Sequence, residues 1–123
     1  MDPGEKSRKL KEIKKGFYDG LIRDLLKKEA YQLAQVIYGE KKREKFEVTI
    51  SDQIIGFEIF SAQAKLEEYK DIFGEVVRDG GSFELDQFVC EQVARTLLKF
   101  KSDEYQAEVL EMCDVLKDRI FDA

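Results

Sequence analysis

The sequence predicts an α+β fold that is mainly α: a long or bent N-terminal helix, one antiparallel β-hairpin, and three helices packed on it. Two changes of apolar period predict this order. Apolar residues keep a helical spacing over residues 8–38, alternate with polar residues over 45–60, and return to helical spacing after 66. The chain of 123 residues is 43% hydrophobic, which predicts one domain over 1–123, with 1–6 frayed.

The N-terminal helix carries two apolar stripes, rotated by roughly 100° from each other at 3.6 residues per turn. The first stripe contains Leu10, Ile13, Phe17, Leu21 and Leu25, and the second contains Ile22, Leu26, Leu33, Val36 and Ile37. One straight helix would spread its buried face widely, so a bend or break between Gly16 and Glu29 is the alternative. Gly39 is predicted to end the helix.

The β-hairpin is predicted from strict alternation on both sides of a two-residue turn at Asp52-Gln53. The apolar members of the two strands are Phe46, Val48, Ile50, Ile55, Phe57 and Ile59. Pairing Ile50 with Ile55 puts all six side chains on one face, which favours this register. The same register places Glu47 opposite Glu58 on the outer face.

Three helices are predicted to follow the hairpin. The inward face of the first of them carries Leu66, Tyr69, Phe73, Val76 and Val77, and this helix stops at Gly80-Gly81. Ser82 is the predicted N-cap of the next helix, and Ser102 or Asp103 caps the last one. Cys90 and Cys113 fall on apolar helix faces and are expected to be buried thiols.

Charge is divided unevenly along the chain. Residues 1–45 carry 13 Lys/Arg against 8 Asp/Glu, and residues 46–123 carry 8 against 18. The excess acid forms outer stripes on two predicted helices, made of Glu104, Glu108, Glu111, Asp114 and Asp118 in the last helix and Glu67, Asp71 and Glu75 after the hairpin. Like charges at i,i+4 cost a helix a few tenths of a kcal/mol per pair. A solvated face is one interpretation, and a binding surface for a basic partner protein is the other.

Several function classes find no support in the residues. Histidine is absent, which removes the commonest general base and the commonest transition-metal ligand. A Ser-His or Cys-His nucleophile cannot be built, and Gly80-Gly81 lacks the Lys of a phosphate-binding loop. We therefore expect no enzyme, no cofactor and no metal site.

The predicted function is a non-catalytic protein-binding module, an inhibitor or assembly factor that engages a basic partner through its acidic helix faces. One concrete version is a phage or mobile-element antagonist of a nucleic-acid-binding enzyme. A nucleic-acid-binding accessory protein that uses the basic N-terminal helix is an alternative, although acids interrupt its basic field. A structural homo-oligomer, including a homodimer, is another. No apolar run approaches the ~20 residues that cross a bilayer, so no membrane partner is expected and the predicted compartment is the cytoplasm.

Overall fold

The computed structural model describes residues 3–78, 87–100 and 103–121, and the regular secondary structure of these residues is helical. Within those residues the order is α1 (Pro3–Lys27), α2 (Tyr31–Arg43), α3 (Ile50–Ala62), α4 (Leu66–Arg78), α5 (Gln87–Leu97), a short 3₁₀ turn (Asp103–Tyr105) and α6 (Gln106–Phe121). The chain divides into unit 1, Met1–Val48, and unit 2, Thr49–Ala123. This division does not decide whether the units unfold together, so one domain over residues 1–123 stays a prediction.

The predicted α+β class is wrong, because the described residues are all-α and the segment predicted as a β-hairpin contains α3. Residues 46–49 have no regular structure, and the predicted turn residues Asp52 and Gln53 lie in the first turn of α3. The physical reason is a capping box at the helix start. Thr49 Oγ1 accepts a hydrogen bond from the Asp52 N–H at 3.3 Å, and Asp52 Oδ2 accepts one from the Thr49 N–H at 2.9 Å.

The apolar pattern of α3 resembles that of two strands because the helix is buried around more than half of its circumference. A helix that is enclosed in this way needs apolar residues on most sides, so it shows no single stripe of period 3.6. Its buried residues are Asp52, Gln53, Gly56, Phe57, Ile59, Phe60 and Ser61. Alternation between apolar and polar residues therefore arose here without any β-structure.

Unit 1 is an antiparallel pair of helices. Helix α1 continues through Gly16 and Gly20, and the chain turns after Lys27, at the C-terminal limit of the interval considered for a break. The turn is a Schellman motif in which the Ala30 N–H donates to the Leu25 carbonyl at 2.9 Å and the Glu29 N–H donates to the Leu26 carbonyl at 3.1 Å. Glu29 adopts the left-handed conformation with φ 57°, although it is not glycine.

Helix α2 continues past Gly39 to Arg43, so the predicted helix end at Gly39 is wrong. The Lys41 ammonium is almost fully buried and donates a hydrogen bond to Asp19 Oδ1 on α1. Lys14 Nζ lies 3.6 Å from Glu44 Oε2, in a much more exposed ion pair between α1 and the residue after α2. Both pairs tie α1 to the α2 side of unit 1.

Unit 2 is built around α3, which packs against α4 and α5, while α5 packs against α6. The predicted inward face of α4 is confirmed at Leu66, Tyr69, Phe73 and Val76, all of which are buried. The Tyr69 ring lies 4.7 Å from the Phe57 ring and 5.1 Å from the Phe100 ring, centroid to centroid. Aromatic packing of this kind adds to the stabilisation that burial alone provides.

Some predictions fall outside the described residues, namely the helix stop at Gly80-Gly81 and the caps at Ser82 and Ser102. Cys90 is buried and Cys113 is half-buried, and both are thiols. In the part of the chain that the structure describes, no helix has both the length and the apolar content that a membrane span requires.

Candidate functional site

The eight predicted partner-binding carboxylates all lie in unit 2, and seven of them are exposed. Glu67, Asp71 and Glu75 repeat along α4, on the side away from its buried residues. Helix α6 carries the exposed Glu111, Asp114 and Asp118, with Glu108 half-buried beside them. Glu104 is exposed but lies in the 3₁₀ turn, so the predicted stripe on the last helix begins at Glu108.

One ion pair links the two acidic helices. Lys70 Nζ of α4 lies 3.7 Å from Glu108 Oε1 of α6, and both side chains are about 40% exposed. An exposed pair of this kind contributes about 0–1 kcal/mol to stability. It nevertheless places a cation between the acidic stripes, so Glu108 already has a counter-charge within the chain.

The face-to-face carboxylate pair predicted on the hairpin does not form in the described residues. The Glu47–Glu58 pair depended on the β-hairpin and disappears with it, since Glu47 precedes α3 and Glu58 lies within that helix. Among the side chains that the structure describes, no three His, Cys, Asp or Glu come together closely enough to hold a metal ion. What the acidic stripes can do is attract and orient a cationic surface.

A small cleft opens in unit 2 between α3 and the C-terminal part of α5. Phe57 and Glu58 form one wall, and Arg95, Thr96 and Lys99 form the other, around a volume of about 240 Å³. Ligand pockets usually enclose about 300–1,000 Å³ and are mostly apolar. This cleft is smaller and carries three charged side chains, so it is a poor site for a small-molecule substrate.

A buried hydroxyl pair lies next to this cleft. Tyr69 Oη is 2.6 Å from Thr96 Oγ1, and both hydroxyls lie within 3.1 Å of the Val93 carbonyl oxygen. Burial raises the pKa of the Tyr69 hydroxyl well above its usual range, although the hydrogen bond with Thr96 acts in the opposite direction. The phenol therefore stays neutral and serves as a structural hydrogen-bond donor between α4 and α5.

The exposed apolar residues of unit 1 are the feature that the sequence interpretation missed. Leu10 is 56%, Ile13 68% and Phe17 66% exposed on α1, although all three were assigned to an apolar stripe of the core. We call these three residues the outer stripe of α1. On α2, Leu33 and Val36 are also more than half exposed. Periodicity predicted two stripes along one N-terminal helix, but it could not tell which residues face the other helix once the chain turns after Lys27.

The outer stripe lies on the far side of α1 from its buried residue. Ile13 is about 180° round the helix from Ile22 at 100° per residue, and Ile22 is buried. Helix α2 packs on the buried side, through contacts that include Asp19 and Lys41. The outer stripe is therefore not needed to hold the two helices of unit 1 together.

The six cations at the start of α1 are Lys6, Arg8, Lys9, Lys11, Lys14 and Lys15. Four of them, Arg8, Lys11, Lys14 and Lys15, fall within an arc of about 120° at 100° per residue. This arc is on the side of Ile22, where α2 packs, and Lys14 is paired with Glu44 there. Contacts within unit 1 therefore compete with a phosphate backbone for this side of the helix.

No protein-family model matches the chain, and no curated protein and no solved structure is similar to it.

Proposed function

We propose that this chain is a non-catalytic protein-binding module of the cytoplasm. The observation that carries the proposal is the apolar surface of unit 1, where Leu10, Ile13, Phe17, Leu33 and Val36 are each more than half exposed. Burying apolar surface stabilises a complex by about 25 cal/mol per Å² before the costs of association. Exposed apolar patches on small proteins commonly mark interaction sites.

The acidic stripes of α4 and α6 supply a second, electrostatic component of the proposal. Their exposed carboxylates would attract a basic partner surface at long range and raise the association rate, an effect that salt weakens. This fits an inhibitor or assembly factor, including an antagonist from a phage or mobile element that blocks a nucleic-acid-binding enzyme. Glu108 contributes least, because Lys70 already lies beside it.

The structure bears differently on the two rival functions, nucleic-acid binding and homo-oligomer formation. Nucleic-acid binding through α1 is disfavoured, because four of its six N-terminal cations lie on the side of the helix where α2 packs, and one of them, Lys14, is paired with Glu44. A structural homo-oligomer can no longer use a β-edge, since the described residues contain no strand. It can still use exposed apolar residues as an interface, and light scattering at high concentration tests it.

A pull-down from the native host's lysate tests the proposed function. Three proteins are compared with wild type: an outer-stripe variant (Leu10→Gln, Ile13→Gln, Phe17→Gln), an acidic-stripe variant (Glu104→Gln, Glu108→Gln, Glu111→Gln, Asp118→Asn), and the control Leu110→Gln. Leu110 is equally exposed but lies on α6, so its replacement changes exposed apolar area without touching unit 1.

We expect the partner to be lost with the outer-stripe variant, retained with Leu110→Gln, and recovered more weakly at low salt with the acidic-stripe variant. Recovery of the same partners at equal strength by all four proteins would contradict the proposal. If the acidic-stripe variant alone recovers the partner as strongly as wild type does, the carboxylates of α4 and α6 are solvated and do not contribute to binding.

A further inference from the structure

We propose that the outer stripe of α1, together with Gly16 and Gly20, is a seat for an amphipathic helix of another protein, with an apolar stripe flanked by Asp or Glu. This inference rests on the proposed function and names the class of partner. It is carried by three features of α1: the width of the outer stripe, the open space at two glycines, and the charges at its flanks.

The width of the outer stripe fits one helix rather than a membrane surface. Leu10, Ile13 and Phe17 follow spacings of three and four and fall within an arc of about 60°. A helix lying on a core or in a bilayer interface usually presents an apolar arc of at least about 100°, whereas a helix–helix seam uses the narrower a and d positions. At the angle of the outer stripe around α1, the charged residues Lys6 and Asp24 precede and follow the three apolar residues. The apolar part of the seat, from Leu10 to Phe17, therefore spans about two helical turns.

Two glycines next to the outer stripe leave room for close approach. Gly16 and Gly20 are four residues apart, and each lies within about 60° of Ile13 around the helix. A Cβ atom built on either glycine meets nothing within 4 Å. Each glycine is a poorer helix former than alanine, and no neighbour within the chain requires either one. A partner helix that packs along them provides a reason for both.

The flanking charges identify the chemistry of the partner. With Leu10 and Phe17 at a and Ile13 at d, the charged residues at the flanking e and g positions are Lys9 and Lys14. A second copy of α1 would place Lys against Lys in the parallel and in the antiparallel arrangement, so self-pairing through this face is repulsive. A helix with Glu at the corresponding positions gains attraction at both, with Lys14 shared between Glu44 and the partner.

The test uses the purified full chain and designed, fluorescently labelled peptides of about three heptads. One peptide has Leu at a and d and Glu at e and g, which keeps it from pairing with itself, and the matched peptide has Lys at e and g. Vesicles of phosphatidylcholine and phosphatidylserine form a third arm. We expect the Glu peptide to bind at least about tenfold more tightly than the Lys peptide at low salt, and the advantage to shrink as salt rises.

Equal affinity for the two peptides, preference for the Lys peptide, or binding to vesicles without binding to the Glu peptide would overturn the proposal. If the Glu peptide does not bind but the lysate partner still depends on the outer stripe, the proposed function stands and the partner class is wrong. These two failures are therefore distinguishable.

Variants locate the seat and separate binding from folding. Phe17→Ala should weaken Glu-peptide binding about thirtyfold, as truncation of a central contact does, while Leu110→Ala leaves it unchanged. Gly16→Ala/Gly20→Ala should raise the melting temperature of the free chain, because both positions are open and helical, yet weaken peptide binding about tenfold through overpacking. Unchanged affinity in this stabilised double variant would overturn the proposed close approach and the proposal with it.

Discussion

Units 1 and 2 use their apolar residues in opposite ways. Unit 2 buries most of its large apolar side chains around α3 and α4 and presents carboxylates outside. Unit 1 divides its apolar residues between an inner face, with Ile22 and Tyr38 buried, and outer faces that remain exposed. Of the nine large apolar residues exposed in the described part of the chain, six belong to the first 48 residues. The comparison shows that unit 2 is built around a buried core and that unit 1 is a helix pair whose outer apolar faces remain exposed.

The largest expected effect comes from removing one phenylalanine from each unit. Phe57→Ala should lower the free energy of unfolding by about 3–5 kcal/mol, because it empties a core position, whereas Phe17→Ala should change it by less than about 0.5 kcal/mol. Phe57 is 1% exposed and Phe17 is 66% exposed. Urea unfolding measures both values. Similar losses in the free energy of unfolding for the two variants would contradict the difference in burial between the units.

A smaller effect distinguishes the two ion pairs of unit 1. Asp19→Asn removes the counter-charge of the nearly buried Lys41 ammonium and should cost about 2 kcal/mol. Lys14→Gln breaks the exposed pair with Glu44 and should cost at most about 0.5 kcal/mol. Thermal unfolding at low and high salt checks this order, and equal costs would mean that burial of Lys41 carries no penalty.

The buried hydroxyl pair of unit 2 predicts an alkaline pH dependence. Tyr69→Phe removes one hydrogen bond and should cost about 1 kcal/mol at neutral pH. Because the folded-state pKa of Tyr69 is raised, its contribution is complete below the unfolded pKa of about 10 and falls as pH rises above it. Stability measured from pH 8 to 11 should therefore decline more steeply in wild type than in Tyr69→Phe. Parallel curves would contradict a neutral, buried phenol.

The smallest expected effect is a gain of stability at the end of α3. Ala64 has φ 56°, a left-handed conformation that costs L-residues about 1–2 kcal/mol and glycine almost nothing. Ala64→Gly should therefore stabilise unit 2 by about 0.5–1 kcal/mol after the entropy cost of glycine. Ala62→Gly, two residues earlier and within the helix, should destabilise it by up to about 1 kcal/mol. Helix α3 ends in a Schellman motif, in which the Lys65 N–H donates to the Phe60 carbonyl at 2.8 Å and the Ala64 N–H donates to the Ser61 carbonyl at 3.1 Å. The same sign for both substitutions in urea unfolding would contradict a left-handed ending that favours glycine.

The sequence predicted the secondary structure correctly where a helix has one apolar face. Where a helix is apolar on several sides, the sequence pattern predicted the wrong secondary structure. Helix α4 has a single stripe, and its inward residues Leu66, Tyr69 and Phe73 were predicted correctly. Helix α3 is enclosed on most sides, so its pattern resembled two strands. The Thr49-x-x-Asp52 spacing was the available sign of a helix start, and the two-residue turn predicted at Asp52-Gln53 obscured it.

The candidate site was predictable only in part for the same physical reason. Exposure of the carboxylates on α4 and α6 follows from their position opposite apolar residues. The outer stripe of α1 could not be recognised, because Leu10, Ile13 and Phe17 have the spacing of a core face. Only the packing of α2 on the side of Ile22 and Asp19 shows which face remains open.

Backbone amide shifts during titration with the Glu peptide test the central claim most directly. If the outer stripe of α1 is the seat, the largest shift changes should fall between Leu10 and Gly20, and the Gly16→Ala/Gly20→Ala variant should lose them while its fold is kept. Shift changes concentrated on α4 and α6, or spread evenly over the chain, would contradict a binding seat on unit 1.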